Sequence, residues 1–409
     1  MKRRNFLTQM ALGMGATLIP VGHNSLVAQD LNFSNQGRRK RLVTIFLRGA
    51  VDGLSVVVPH QEPNYYEARP RIAIPYPRNQ GGAIDLDGFF GLHPELSELM
   101  PLWQQQKLAF VNCCGSVEKT RSHFEAQDYM ESGVPGVKSV RDGWLNRLLG
   151  TLPKDMPTQA LNVGNTTPRI LQGNQAIAHL RPGKNAAKPT QVDRPEINAA
   201  FASLYQNNSD LNQAFNNGNQ SRQIIREQLE QEMMAASRGA GSANKFAGSA
   251  ARVARLMVSD ARTQLAFMEV GGWDTHVNQK STLDRNLANL AKGLRTLTEE
   301  LGDIYKDTVI LVISEFGRTV AENGNLGTDH GRGNAMWLLG GAINGGKVYG
   351  EWTGLEESEL NQKRDLRITT DFREVIATVL KEHLELGDEA IAQVFPGFTR
   401  TGKITNLIA

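Results

Sequence analysis

Carboxylate and imidazole side chains follow short apolar segments at several separate places in this sequence. The residues concerned are Asp52, Asp274, His276, Glu315 and His330. Oxygen and imidazole ligands of this kind suit zinc, manganese, calcium or a similar divalent ion. Asp274 and His276 are two residues apart, so both side chains can turn inward from one extended loop. The pattern therefore predicts a site for one or two divalent metal ions.

A hydroxyl group at the start of a predicted helix accompanies these residues. Ser122 and His123 begin that helix, and Glu125 follows Ser122 by three residues, as in a helix capping box. Backbone N–H groups at a helix start favour an anionic ester or phosphoryl group. One metal would lower the pKa of the Ser122 hydroxyl while another stabilises the leaving oxygen. Arg48, Arg318 and His123 are predicted to bind the charged substrate.

Alternating strands and helices position these residues. The predicted strands are 42–47, 108–115, 264–270, 308–313 and 335–340. The predicted helices are 92–106, which Pro101 is expected to kink or end, 122–133, a leucine stripe at 283–297, and 371–386 with Gly387 as its cap. Such alternation predicts an α/β protein, with a mostly parallel sheet covered by helices on both faces as an α/β/α sandwich. Ligands bind outside the carboxyl ends of the strands in such sheets, which is where the candidate residues lie.

The N-terminal segment is typical of an export signal. Residues 2–4 are all basic, and the paired arginines followed by Phe-Leu resemble the twin-arginine signal. Residues 1–28 are therefore predicted to be a signal peptide, and the twin-arginine translocase a partner during export. Its apolar stretch is too short and glycine-rich to span a membrane, so no transmembrane segment is expected in the mature chain. The predicted location is periplasmic or secreted.

The rest of the chain is predicted to be a basic linker, residues 29–41, and one domain, residues 42–409. Within the domain, residues 186–248 are rich in Asn, Gln and Ala, which predicts a helical insertion over the core. Without the three basic residues of the signal, 42 basic residues balance 42 acidic ones. A formally neutral protein lacks the attraction for phosphate backbones that drives nucleic-acid binding, so no nucleic-acid partner is expected.

Two adjacent cysteines, Cys113 and Cys114, lie in one predicted strand. Neighbouring side chains of a strand point to opposite faces, so a disulfide between them would be strained. Two buried thiols are expected, and a redox pair is the alternative, although the sequence has no C-x-x-C pattern.

Five motifs in this order resemble the bacterial family called domain of unknown function 1501. They are LRGAVDG at 47–53, RSHF at 121–124, GWDTH at 272–276, SEFGRT at 314–319 and GTDHG at 327–331. The resemblance runs from about residue 42 to the C-terminus. Its fold is in turn similar to that of the alkaline phosphatase and sulfatase superfamily, whose members carry metals at strand ends.

The superfamily resemblance implies roles for individual residues. Ser122 would be the nucleophile. Asp52 would match the first metal-bridging aspartate, Asp274 and His276 the ligands of the other metal, Glu315 the aspartate of a following Asp-His pair, and His330 the last histidine ligand. Phe316 stands where the superfamily has the histidine of that pair, so a single metal is an alternative to two. A rival alignment places Asp329 and His330 on the pair, but a glycine loop rather than a strand precedes them.

Two functions are compatible with these observations. The first is an exported metal-dependent hydrolase of phosphate or sulfate esters, which would act on a small anionic ester. The second is a secreted binding or assembly protein that has kept the alkaline-phosphatase-like fold and lost the chemistry. Phe316, in place of a metal-binding histidine, favours the second function.

Overall fold

The computed structural model describes residues 39–152, 160–164, 166–180, 194–205, 211–212, 215 and 245–409. The predicted signal peptide and nearly all of the predicted linker lie outside the described residues. The same holds for most of the predicted insertion at 186–248, of which one helix is described. None of the helices in the described ranges has the length and apolar character needed to cross a membrane.

Twelve strands form two sheets in the described part of the chain. They are β1 (Arg41–Arg48), β2 (Val57–Val58), β3 (Ile84–Asp85), β4 (Gly91–Leu92), β5 (Leu108–Gly115), β6 (Ala160–Val163), β7 (Ala178–Leu180), β8 (Leu265–Gly271), β9 (Thr308–Ser314), β10 (Asn334–Gly340), β11 (Lys347–Tyr349) and β12 (Thr370–Asp371). The main sheet has the order β11-β5-β10-β9-β1-β8-β6-β7, with β12 also paired to β5, and β2, β4 and β3 form a small antiparallel sheet.

Parallel pairing dominates the main sheet. Strand β1 pairs in parallel with β8 on one side and β9 on the other, and β6 pairs in parallel with β7 and β8. Strand β10 runs antiparallel to both of its neighbours, β5 and β9. The start of β10 therefore lies at the same edge of the sheet as the carboxyl ends of β5 and β9.

Helices cover the sheet. They are α1 (Gly53–Val56), α2 (Pro63–Ala68), α3 (Met100–Gln104), α4 (His123–Ser132), α5 (Trp144–Thr151), α6 (Pro195–Tyr205), α7 (Lys245–Ser259), α8 (Gln279–Glu300), α9 (Phe372–Glu382) and α10 (Asp388–Val394), with 3₁₀ helices at Pro94–Leu99, Arg169–Leu171 and Gly302–Asp307. The predicted leucine stripe is the buried face of α8.

Strand β1 divides two hydrophobic cores. Val43, Ile45 and Leu47 face a core completed by α7, α8 and the first 3₁₀ helix. Leu42 and Phe46 face the other core, which α5, α9 and α10 complete. Apolar residues on both faces of a strand are what a central parallel strand requires, because helices cover it on both sides. The α/β prediction, with a mostly parallel sheet and helices on both faces, is confirmed.

Two predicted helices differ from the structure. Residues 92–106 form the end of β4, a 3₁₀ helix and α3 instead of one helix, since Pro101 lies in the first turn of α3 and has no N–H for a continuous helix. The last predicted helix ends at Glu382. Gly387 does not cap it but precedes the first residue of α10.

The two cysteines are free and buried in different clusters. Cys113 has a left-handed backbone with φ of 52°, opposite an irregularity in the pairing of β10 with β5. It packs with Leu54, Tyr65 and their neighbours, whereas Cys114 packs in the core beneath α9. Burial raises the pKa of the Cys113 thiol to about 12 and that of Cys114 further. Both thiols are therefore protonated at neutral pH and poor nucleophiles.

We expect a thiol reagent to modify neither cysteine in the native protein and both cysteines after denaturation without reductant. The reason is that only an accessible thiolate can attack the reagent. The measurement is a colorimetric thiol titration before and after unfolding in guanidinium chloride. Rapid labelling of the native protein would contradict the burial, and fewer than two thiols after unfolding would indicate a disulfide.

Candidate metal centre

Four separate segments meet at the carboxyl edge of the main sheet. Residues 272–276 follow β8, residues 315–318 follow β9, and α4 begins after β5. Residues 327–333 precede β10, whose antiparallel direction places its start at this same edge. Side chains from the segments after β5, β8 and β9 and before β10 therefore lie at this edge.

Three histidines and one aspartate converge there. The Nε2 atom of His330 lies 2.9 Å from the Nε2 atoms of both His123 and His276. Asp274 Oδ1 lies 3.1 Å from His276 Nε2 and 3.4 Å from His330 Nε2, and Asp274 Oδ2 lies 3.5 Å from His123 Nε2. We call these four residues the His-Asp cluster.

The other ring nitrogen of each histidine donates a hydrogen bond away from the cluster. The Nδ1 atoms of His123, His276 and His330 lie 2.8, 3.0 and 2.9 Å from Glu315 Oε1, Asp329 Oδ1 and the Arg121 carbonyl oxygen, respectively. A carbonyl or an ionised carboxylate can only accept, so each Nδ1 carries a proton. The Nε2 atom of each ring is then directed into the cluster, and in a neutral ring its lone pair would be free for a metal ion, as in histidine ligands.

The donor set of the cluster fits a divalent cation. His330 Nε2 has one lone pair but two ring nitrogens at 2.9 Å, so hydrogen bonding cannot satisfy all three rings. A central cation would use all three lone pairs and the Asp274 carboxylate. Four ligands at about 2.1 Å from tetrahedral zinc are about 3.4 Å apart, close to the 2.9–3.5 Å separations here. Zinc binds imidazole and carboxylate together, whereas the hard cations calcium and magnesium take oxygen ligands.

Electrostatics distinguish two of the histidines. Burial lowers the pKa of His330, and the positive charges of His123 and Arg318 lower it further. The hydrogen bond to Glu315 raises the pKa of His123 despite its burial. His330 is therefore the ring held neutral, with its lone pair free for a cation.

Glu315 lies behind His123, where it orients the ring. Its Oε1 atom accepts hydrogen bonds from His123, from the Gln127 amide and from the Gly49 N–H, all at 2.8–2.9 Å. Its Oε2 atom accepts one from Ser314 at 3.1 Å. Burial by itself would raise the pKa of Glu315, but these hydrogen bonds outweigh it and lower the pKa. Both oxygens are occupied, so the structure assigns the carboxylate a positioning contact rather than a place among the ligand atoms.

Asp52 is engaged in a buried ion pair. Arg69 donates to Asp52 Oδ2 at 2.6 Å and to Oδ1 at 3.0 Å, and Ser55 and Gln279 donate to Oδ2 at 2.7 and 2.6 Å. Burial would raise the pKa of Asp52, but the Arg69 charge and these hydrogen bonds hold it below its usual value. The structure therefore does not bring Asp52 into the His-Asp cluster but pairs its carboxylate with Arg69.

Arg318 is buried and connects the loops that carry the cluster. Its guanidinium donates to the carbonyl oxygens of Ala50, Thr328, Gly49 and Trp273 and, at 2.6 Å, to Asp274 Oδ1. Arg48 is similarly engaged, with Glu269 and Glu131 at 2.6 and 2.9 Å. The Arg318 side chain is buried in these contacts, whereas Arg48 is about one-quarter exposed and its hydrogen bonds use Nε and Nη1, so substrate binding by Arg48 stays a prediction.

Ser122 occupies the residue before α4, with its hydroxyl exposed. In contrast to the capping-box prediction, its side chain makes no capping hydrogen bond among the described residues. Glu125 instead accepts from Thr120 Oγ1 at 2.8 Å. The Ser122 hydroxyl is thus left available at the helix start, adjacent in sequence to His123 of the cluster.

Phe316 packs against the faces of two cluster histidines. Its ring centroid lies 5.0 Å from that of His123 and 5.1 Å from that of His330. The ring is buried and forms a small cluster with Ala50 and Ala126. The side chain at position 316 is therefore apolar and contributes no ligand atom on this side of the cluster.

Two glycines permit the close approach of the loops. Gly49 has φ of 117°, and a Cβ atom there would lie 2.6 Å from the Asp274 backbone nitrogen. A Cβ atom on Gly327 would lie 2.3 Å from the His276 carbonyl carbon. Both glycines lie in the sequence motifs. A side chain at either position would separate the segments that carry the cluster residues.

Several residues of the site were not predicted from the sequence. Asp329, which orients His276, has a sequence signal, since it lies beside His330 in the GTDHG motif. Arg69, in the segment after α2, and Gln279, in α8, both hold Asp52 and have no motif around them. Gln127 lies one turn after His123 on α4, the spacing at which helix residues share a face.

The fold and this edge site are those of an α/β protein with a candidate metal centre at the carboxyl ends of its strands. The sequence matches the family described as "Protein of unknown function (DUF1501)" over residues 39–395, and the chain belongs to this family. The family resemblance of the five motifs is thereby confirmed. No curated protein matches the sequence significantly.

Similar solved structures share only a distant chain path. An alkaline phosphatase superfamily protein from Vibrio parahaemolyticus is 10% identical, over 85% of this chain and 71% of that chain, with a TM-score of 0.38. The C-terminal periplasmic domain of EcEptC from Escherichia coli, in complex with zinc, is 12% identical over 91% and 93%, with a TM-score of 0.39. The lipoteichoic acid synthase LtaP from Listeria monocytogenes is 10% identical over 87% and 79%, with a TM-score of 0.36.

We expect Arg318→Lys to lower the free energy of unfolding by about 3 kcal/mol, because a lysine cannot replace five buried donor contacts and would leave carbonyl groups unsatisfied. Urea unfolding followed by circular dichroism measures the change. Arg285→Lys is the matched control, since Arg285 is exposed on α8. Equal stability of the two variants would contradict the connecting role of Arg318.

Proposed function

We propose that this protein is an exported, metal-dependent hydrolase of phosphate or sulfate esters with a single metal centre. The observation that carries the proposal is the convergence of three histidine Nε2 atoms on the Asp274 carboxylate. His123, His276, His330 and Asp274 would hold one divalent ion. When bound, such an ion supplies a Lewis acid that withdraws charge from the ester and its nucleophile.

Ser122 would act as the nucleophile. Its oxygen would attack phosphorus or sulfur, the ester bond to the leaving oxygen would break, and water would then release the product from serine. The exposed hydroxyl next to His123 supports this role. The first N–H groups of α4 would stabilise the anionic group as charge develops.

The proposal assigns no metal to Asp52. Its carboxylate already carries four donors, including the two of Arg69, so a second ion would first have to displace a buried guanidinium. Breaking a buried pair costs about 3–5 kcal/mol. We therefore propose one ion, with zinc favoured by the three imidazole ligands.

Phe316 supports a second candidate, a secreted binding protein that has retained the metal and lost the chemistry. Its ring fills the space beside His123 and His330 where a further ligand would lie. This candidate shares the metal centre of the first one. It differs in predicting no turnover of any ester by the metal-loaded protein.

The mature protein purified without chelators is expected to contain about one equivalent of a divalent metal per chain. The double variant His276→Ala/His330→Ala should lose it, because two of four ligands are removed. Asp52→Asn should retain it, because Asp52 is engaged by Arg69. Elemental analysis measures metal content, and circular dichroism verifies that each variant is folded.

Two outcomes would contradict the assignment of ligands. Unchanged metal content in the folded double variant would place the ion elsewhere. Two equivalents of metal in the wild-type protein and only about one in folded Asp52→Asn would show a second ion and a two-metal centre.

We expect Ser122→Ala to lower ester turnover by about three orders of magnitude, because a nucleophile cannot be replaced by a methyl group. Its metal content should stay unchanged. Initial rates on 4-nitrophenyl phosphate and 4-nitrophenyl sulfate measure the effect. Ser281→Ala is the matched control, since Ser281 is another exposed serine in the first turn of a helix.

Turnover that survives in Ser122→Ala would remove the covalent step from the proposal. Turnover of neither ester by the metal-loaded wild-type protein would instead favour the binding protein.

A further inference from the structure

A cleft of about 480 Å³ lies beside the His-Asp cluster at the same edge of the sheet. It is lined by Val117, Arg332, Leu360, Asn361, Gln362, Arg367 and Ile368. This volume is within the range of small-molecule sites. The lining combines two guanidinium groups and two side-chain amides with three apolar side chains.

The two arginines of the cleft lack an acidic partner. Arg332 donates to the carbonyl oxygens of residues 116–118, and Arg367 donates to the Ser358 carbonyl oxygen. Over the described ranges, no carboxylate forms an ion pair with either of them. The buried Nε atom of Arg332 also has no hydrogen-bond partner in that part of the chain. Carbonyl dipoles offset a positive charge only in part, so the cleft retains net positive charge.

The cleft and the His-Asp cluster share a wall. The Arg121 carbonyl oxygen accepts the hydrogen bond from His330, and the Arg121 guanidinium donates to Gln362 in the cleft at 2.9 Å. Arg332 follows His330 by two residues. A molecule in the cleft would therefore lie next to a group held at the cluster.

We propose that this cleft binds an anionic group with an apolar body, such as an aryl or alkyl phosphate, sulfate or carboxylate. The inference extends the proposed function, because it names the part of a substrate that would lie beside the cluster. Arg332 and Arg367 would pair with the anion, and guanidinium groups match the geometry of phosphate, sulfate and carboxylate oxygens. Val117, Leu360 and Ile368 would cover the apolar body. The side chain of Val117 is half-exposed where it lines the cleft.

The charges around the cleft agree with an anionic occupant. Arg121 and Arg364 add two cations, and Asp365 is the buried carboxylate that pairs with both of them. Glu118 is the other nearby acid, and its charge acts on Arg332 together with that of Asp365. Cations therefore outnumber carboxylates where an anion would bind.

Equilibrium binding of phenyl phosphate, phenyl sulfate and benzoate to the full chain tests the proposal. Isothermal titration calorimetry is used with the wild-type protein and with His276→Ala, so that binding to the cleft is measured with and without an intact cluster. At least one of the three anions should bind both proteins, and the anion that binds identifies the head group. Inorganic phosphate should bind more weakly than phenyl phosphate if phosphate is that group, since it leaves the apolar side chains uncovered.

Arg367→Gln should weaken this binding about tenfold and Arg332→Gln at least as much. Arg367 is exposed and makes a single carbonyl contact, so its variant keeps the test valid if Arg332→Gln fails to fold. Arg39→Gln is the matched control, because Arg39 precedes β1 at the opposite edge of the sheet. Absence of binding for all three anions, or binding that Arg367→Gln leaves unchanged, would overturn the proposal.

Failure of this inference is distinguishable from failure of the proposed function. Metal content and ester turnover test the His-Asp cluster without reference to the cleft. Binding to His276→Ala tests the cleft without reference to turnover. Binding that is abolished by His276→Ala while that variant remains folded would assign the anion to the cluster and overturn the cleft.

Discussion

The buried guanidinium of Arg318 is the interaction on which the candidate site depends. It joins the loop after β1, the loop after β8 and the segment before β10 through hydrogen bonds to four carbonyl groups and Asp274. Loops lack the regular hydrogen bonds of helices and strands, and burying a backbone carbonyl group without a hydrogen-bond donor costs free energy. A single rigid donor that satisfies several of them allows irregular backbone to pack inside the protein. The ligands can then be held in place without regular secondary structure.

The carboxylates around the site have three different uses. Asp274 is half-exposed at the centre of the cluster, whereas Glu315 and Asp329 contact the outer nitrogens of the histidines. Asp52 contributes to neither, because Arg69 neutralises it inside the fold. Polar residues at strand ends thus face the centre of the cluster, orient its histidines or stabilise the loops. Residue type alone does not distinguish these uses, since the same carboxylate serves each of them.

Much of the fold could be predicted from the sequence, because buried central strands and the leucine face of α8 have strong apolar patterns. The edge of the sheet that holds the site was also predictable from where polar residues follow strands. The contact partner of each polar residue could not be predicted from the sequence. Arg69 and Gln279 reach Asp52 from distant segments, and nothing in their local sequence indicates the contact. The helix at 92–106 was predicted from spacing alone, which does not reveal that 3₁₀ geometry precedes Pro101.

The four residues of the His-Asp cluster come from three stretches of chain separated by about 150 and 50 residues. Each separation is a long loop that must close before the ligands meet. Closing it costs chain entropy, and folding of the whole sheet offsets that cost. An ion at the cluster would consequently bind the native chain and not the unfolded one. Its binding free energy would add to the stability of the entire domain in proportion to the logarithm of free metal concentration. Resistance of the protein to unfolding would then follow the metal supply of the compartment in which it folds.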